Sequence, residues 1–92
     1  MKLHLSFDQF RVLYAIHTAV YAYTRFELIE TLWMPSVASR ISELRIIKGF
    51  NLPLIEDSDN KKRKRYIFSS LDKNKFKEYL KTKEAKEYLK KL

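Results

Sequence analysis

The stretch Pro35-Ser36-Val37-Ala38-Ser39-Arg40-Ile41-Ser42-Glu43-Leu44-Arg45-Ile46-Ile47-Lys48-Gly49 decides how the rest of the chain is read. Val37, Ile41 and Leu44 recur at the four- and three-residue spacing that buries one face of a helix. Pro35 suits the first turn, where its missing N–H costs nothing, and Gly49, the one glycine in 92 residues, stops the helix after Lys48 in left-handed geometry. Past Gly49 the period changes to two. Phe50-Asn51-Leu52-Pro53-Leu54-Ile55 and Arg65-Tyr66-Ile67-Phe68 are expected as strands, with the polar run from Glu56 to Lys64 as the turn and flanks of a hairpin. Pro53 places the first strand at an exposed edge, because it has no N–H for a ladder.

Upstream, two capping boxes mark helix starts. Ser6-Phe7-Asp8-Gln9 opens a first helix expected to reach Ala22, with Phe10, Leu13, Tyr14, Val20 and Tyr21 on its apolar face. Thr24-Arg25-Phe26-Glu27 opens a second, short helix over residues 25–32 with Leu28 and Ile29 turned inward, and Trp33-Met34 is a tight connector. Leu3-His4-Leu5 alternates like a short strand. Downstream, Ser70 or Asp72 caps a last helix over residues 73–91, with a break near Thr82 where Lys83 and Glu84 interrupt the apolar stripe.

Strand, helix, helix, helix and a two-stranded hairpin is the layout of an α+β winged helix-turn-helix domain, residues 1–69, followed by an added C-terminal helix, residues 70–92. The run from Pro35 to Arg45, followed by Gly49-Phe50-Asn51-Leu52, resembles the recognition helix and first wing strand of small winged helix-turn-helix proteins of phages and plasmids. It is similar also to the DNA-binding module of biotin-operon repressors. The resemblance covers residues 24–68, and the connector Thr31-Leu32-Trp33-Met34 departs from it by lacking glycine. It implies a small DNA-binding transcriptional regulator.

Charge supports an anionic partner. The net charge is +8. Residues 1–60 hold six basic and seven acidic side chains, whereas residues 61–92 hold thirteen basic and four acidic, so the last third carries the whole excess. In the expected DNA complex the third helix lies in the major groove. Ser36, Ser39 and Ser42 face bases or phosphates, Arg40 reaches in from the flank, and Glu43 accepts from a cytosine amino group. Serines discriminate bases poorly and Ile46 adds no polar contact, so this is a weak reading set. The stronger signal is Lys61-Lys62-Arg63-Lys64-Arg65. Held on phosphates through about four contacts, this run would give a salt slope near −3.6, at about −0.9 per contact.

The apolar residues of the last helix, Phe76, Tyr79, Leu80, Tyr88 and Leu89, have two expected destinations. They either fold back on the Ala15/Ala19/Ala22 stripe or form a homodimer interface, as a repressor reading two half-sites requires. Dimerisation is the favoured expectation, since a weak reading helix gains from doubling.

Other chemistry finds little support. With no cysteine and two separated histidines, no zinc site can be assembled, and with no glycine-rich loop there is no nucleotide cradle, so neither metal nor cofactor is expected. Glu56, Asp57, Asp59 and Asn60 lack the spacing of a calcium loop and read as a turn. His17 is expected as a buried, hydrogen-bonded histidine. No motif supports an enzyme. No apolar run reaches the roughly 18 residues a membrane span needs, and no signal peptide is read at the N-terminus, so the expected location is the cytoplasm. The rival readings are RNA binding and a protein-interaction module, such as a viral or plasmid inhibitor of a host protein.

Overall fold

The computed structural model describes residues 3–19, 22–56 and 63–92. These form an α+β structure of five helices and a small antiparallel sheet: α1 (Phe7–Thr18), β1 (Tyr23–Thr24), α2 (Arg25–Leu32), α3 (Val37–Ile46), β2 (Leu54–Glu56), β3 (Lys64–Tyr66), α4 (Ser70–Leu80) and α5 (Lys83–Lys91). The sheet order is β1-β3-β2, with Tyr23 opposite Tyr66 and Thr24 opposite Arg65 on one side of β3, and Leu54 opposite Tyr66 on the other.

Both expected capping boxes are present. Ser6 Oγ accepts from the Gln9 backbone N–H at 3.1 Å while Gln9 Oε1 accepts from Ser6 N–H at 3.0 Å, and Thr24 and Glu27 repeat the exchange at 3.1 and 2.9 Å. Gly49 has φ of 75°, and Phe50 N–H closes the end of α3 on Leu44 C=O at 2.9 Å. The helix itself ends at Ile46, two residues short of the expected end. The glycine-free connector is solved by Trp33, which takes the left-handed conformation at φ 54° and, with Met34, returns its N–H to Ile29 C=O.

Three expectations are corrected. The first helix ends at Thr18, with Ala19 already extended; Val20 and Tyr21 lie outside the described residues. Leu3-His4-Leu5 joins no strand, because the backbone of Leu5 is satisfied by α5: its N–H donates to Glu84 Oε1 at 3.1 Å and its C=O accepts from Tyr88 Oη at 2.8 Å. The strand that pairs with the hairpin is instead Tyr23–Thr24. The expected break near Thr82 is present, at Lys81 and Thr82, and Thr82 caps α5 by accepting from Ala85 N–H; the start of α4 is what differs. The cap of α4 is Ser69, with Asp72 as its reciprocal partner.

Asp72 does more than complete that cap. Only 1% exposed, its carboxylate accepts from the N–H groups of Asn51 (2.8 Å), Leu52 (2.9 Å) and Ser69 (3.1 Å). Leu52 sits at φ 43°, a conformation that costs an L-residue about 1 kcal/mol or more. Asp72 on its N–H and Arg45 Nη2 on its carbonyl (2.6 Å) hold it there, so the approach to the hairpin is clamped to the start of α4.

The core gathers Phe10 and Leu13 of α1, Leu28 of α2, and Val37, Ile41 and Leu44 of α3 with Phe50, Phe68 and Phe76. Phe76 is fully buried, with ring centroids 5.9 Å from Phe10 and 5.7 Å from Phe68, and Tyr79 is 2% exposed against Phe10. Tyr88 packs 5.4 Å from both Phe7 and Phe10, and Leu80 is partly buried on the same core. Four of the five residues expected to dimerise are thereby turned into their own chain, because the aromatic face of α1 needs a cover. Leu89 alone of the five is exposed. No described helix is long and apolar enough to cross a membrane.

Candidate nucleic-acid interface

The hydrophobic spacing of α3 buries Val37, Ile41 and Leu44 and turns Ala38, Ser39, Ser42 and Ile46 to solvent, as the period requires; Ser36 is half-buried at the helix start. Arg40 and Glu43 do not face outward as free contacts. Arg40 Nε lies 2.9 Å and Nη2 3.0 Å from the two oxygens of Glu43, and Glu43 Oε1 also accepts from Gln9 Nε2 at 3.0 Å. An i,i+3 pair on a helix is close enough to neutralise itself, and Gln9 ties it to α1. The outward polar set of α3 thus reduces to serines. Arg45 is also engaged: besides holding Leu52 C=O, its guanidinium lies 5.4 Å from the Tyr66 ring centroid.

In the hairpin, Lys61 and Lys62 lie outside the described residues, as do Asp57, Asp59 and Asn60. Arg63 and Lys64 are exposed, Lys64 standing 4.0 Å from Glu56 in a solvent-open pair. Arg65 points elsewhere. Its Nη1 donates to Ala22 C=O at 2.6 Å and to Glu27 Oε1 at 2.7 Å, joining β3 to the start of α2. The Thr24 N–H holds the Glu27 carboxyl below the usual carboxylate range, with the Arg65 charge in support. Arg65 is a brace in the structure, where the sequence reading has it on phosphate.

The brace brings the start of α2 beside the hairpin, and between them opens a cleft of about 410 Å³. Arg25, Arg63 and Lys64 line it together with Phe26, Leu54 and Tyr66, and no carboxylate is among the lining residues. Phe26 is 71% exposed. Arg25 and Phe26 were not singled out by the sequence. The signal was there in the capping box, which puts them in the first turn, where side chains stand clear of the helix packing.

A second unread feature follows on α2. Phe26, Ile29 and Trp33 are spaced three and four residues apart and so share one face, on which Trp33 is 90% exposed. Trp33, Met34 and Pro35 continue it as an apolar recess of about 490 Å³.

His17 is half-buried, its ring centroid 5.2 Å from Phe76 and 5.9 Å from Phe68 in place of the expected buried hydrogen bond. Burial lowers its pKa below the ordinary value, and Lys77 and Lys73 lower it further. Among the described residues no group of three His, Asp or Glu side chains could hold a metal ion. No protein-family model, curated protein or solved structure matches this chain.

Proposed function

We propose that this protein is a winged-helix module that binds double-stranded DNA as a small transcriptional regulator. The observation that carries the reading is the cleft between α2 and the hairpin, where three cations converge with no lining carboxylate. Such a constellation suits phosphate oxygens, which account for half or more of the hydrogen bonds in protein–DNA interfaces. The element order and the β1-β3-β2 sheet are compatible with the winged-helix arrangement, in which α3 enters the major groove and the hairpin grips the flanking backbone. In this reading Arg25, Arg63 and Lys64 hold the backbone, Lys61 and Lys62 extend the grip, and Ser36, Ser39 and Ser42 touch the groove. Arg40, Glu43 and Arg65 shape the surface. No catalytic role is proposed.

Titration against duplex DNA, single-stranded DNA and duplex RNA at two salt concentrations, with random competitor, tests it. Duplex DNA is expected to bind best and to weaken steeply with salt. Equal binding to all three, or none, would overturn the reading. A protein partner is the second reading, favoured by the Phe26–Ile29–Trp33 face of α2 and by Ile46, 80% exposed on α3. Under it, binding would survive 0.5 M salt, because apolar contacts are not screened.

A further inference from the structure

We infer that α4 and α5 form a second polyanion-binding surface, which takes the sugar-phosphate backbone of a second duplex segment while the cleft at α2 holds the first. The inference rests on the DNA-binding reading above.

Seven lysines between Lys73 and Lys91 are exposed on these helices and their connector. The exposed carboxylates there are Glu78 and Glu87, and each has a neighbour: Lys81 Nζ at 3.2 Å and Lys90 Nζ at 3.8 Å. Asp72 and Glu84 are turned inward, Asp72 to three backbone N–H groups and Glu84 to His4 Nδ1 (3.0 Å) and Leu5 N–H. Lys73, Lys77, Lys83 and Lys86 have no carboxylate partner among the described residues. Four like charges without local compensation form a positive field in which a polyanion gains by releasing counterions.

The surface is held rigidly, and apart from Leu71, Leu89 and Leu92 its exposed side chains are charged or polar. Phe76, Tyr79 and Ala85 are buried against the chain's own core, and Tyr88 Oη is fastened to Leu5 C=O. A lipid surface would need that apolar face for insertion, so a phosphate backbone is the better fit. The surface lies on a different side of α1 from α3, and at its Lys73 end it borders a recess shared with Ala22 and Tyr66, close to the first site. On α1, Phe7, Phe10 and His17 turn to α4 and α5, whereas Gln9, on another face, turns to Glu43 of α3. From Lys73 and Lys77 near His17 to Lys91 over the Phe7 ring, the lysines follow the length of α1, about 18 Å for twelve residues.

Co-capture tests the inference. One biotinylated duplex and one fluorescent duplex of equal length are mixed with the full chain at one protein per two duplexes. The chain is expected to carry the fluorescent duplex onto streptavidin beads. In K73Q/K77Q/K83Q/K86Q, binding to a single duplex should stay within about threefold, while co-capture falls at least tenfold and loses up to about 3.6 from its salt slope, at about 0.9 per contact. A second readout is the His17 imidazole by NMR, whose pKa should rise when phosphates occupy Lys73 and Lys77. No co-capture, with an unmoved His17 in saturating duplex, would overturn the second surface and leave the DNA-binding reading standing. So would a tenfold loss of single-duplex affinity in the quadruple variant without co-capture, since the lysines would then belong to the first footprint. No single-duplex binding by the wild-type chain would overturn both.

Discussion

Replacing Arg25, Arg63 and Lys64 together by glutamine should separate the charge of the cleft from the stability of the fold. All three side chains are exposed, and the one ion pair among them, Lys64 with Glu56 at 4.0 Å, is solvent-open and contributes about 0–1 kcal/mol. The melting temperature should therefore move by only a few degrees. Binding should move much more. Each lost phosphate contact removes about 0.9 from the slope of log affinity against log salt, so three remove about 2.7. Taking 1 M salt as the point where counterion release no longer contributes, the loss is about 500-fold at 0.1 M and about 25-fold at 0.3 M. Fluorescence anisotropy with a labelled duplex at four salt concentrations measures both quantities. Arg65→Gln, which removes one positive charge where the triple variant removes three, is the control to compare charge for charge. It should lower stability, because it leaves Glu27 and Ala22 C=O without the brace, while its direct effect on the salt slope stays below that of a phosphate contact. An unchanged slope in the triple variant, or a slope change in Arg65→Gln of the full value of about 0.9 per contact, would refute the assignment of the cleft.

Asp72→Ala leaves the N–H groups of Asn51, Leu52 and Ser69 without their acceptor and should cost about 3–5 kcal/mol, read as a lower urea midpoint; Asp72→Asn, which keeps one carbonyl oxygen, should cost less. The lowered pKa of His17 makes stability depend on pH: the unfolded chain takes up the proton first as pH falls below 6.5, so stability drops from there down through the folded pKa and is fully present above 6.5. His17→Phe should remove that slope in denaturation curves recorded between pH 5 and pH 7.5, conditions spanning about a unit either side of the ordinary histidine pKa. Trp33→Gly relieves a left-handed backbone at a side chain that is 90% exposed, so the midpoint should hold within about 1 kcal/mol or rise. A large loss of stability in Trp33→Gly would mean that the indole packs on the fold after all.

Local rules carried far along this chain. Ser6 with Gln9, Thr24 with Glu27, and Gly49 are written in short spacings that local backbone geometry alone decides, and each is found where it is read. What stayed hidden depends on partners distant in sequence. Leu3-His4-Leu5 alternates like a strand, yet Glu84 and Tyr88, about eighty residues on, satisfy its backbone and no ladder forms. Trp33 bends as glycine would because the α2–α3 crossing demands it, which no composition rule announces. The aromatic residues of α4 were legible as apolar but not as inward-facing, since a stripe looks the same whether its cover is the same chain or another.

Charge shows the same division more sharply, and it bears on specificity. Counting locates the excess beyond residue 60, but a count does not say which charges are already paired. Arg40 is held by Glu43 three residues away, Arg65 by Glu27 thirty-eight residues away, and Arg45 by a backbone carbonyl, so each arginine of α3 and the last of the basic run serves the fold. Arg25, from the part of the chain with no charge excess, enters the cleft instead. The bidentate Arg–guanine or Asn–adenine contact that contributes about 1–3 kcal/mol of discrimination per base has no uncommitted donor on α3. If DNA is the partner, the proposed interface should therefore bind strongly through phosphates and choose weakly among sequences. Whatever choice it makes should follow duplex shape and deformability more than base edges. A selection from random duplexes that returned a long, sharply defined motif would contradict this, and would require Arg40 to leave Glu43 on binding.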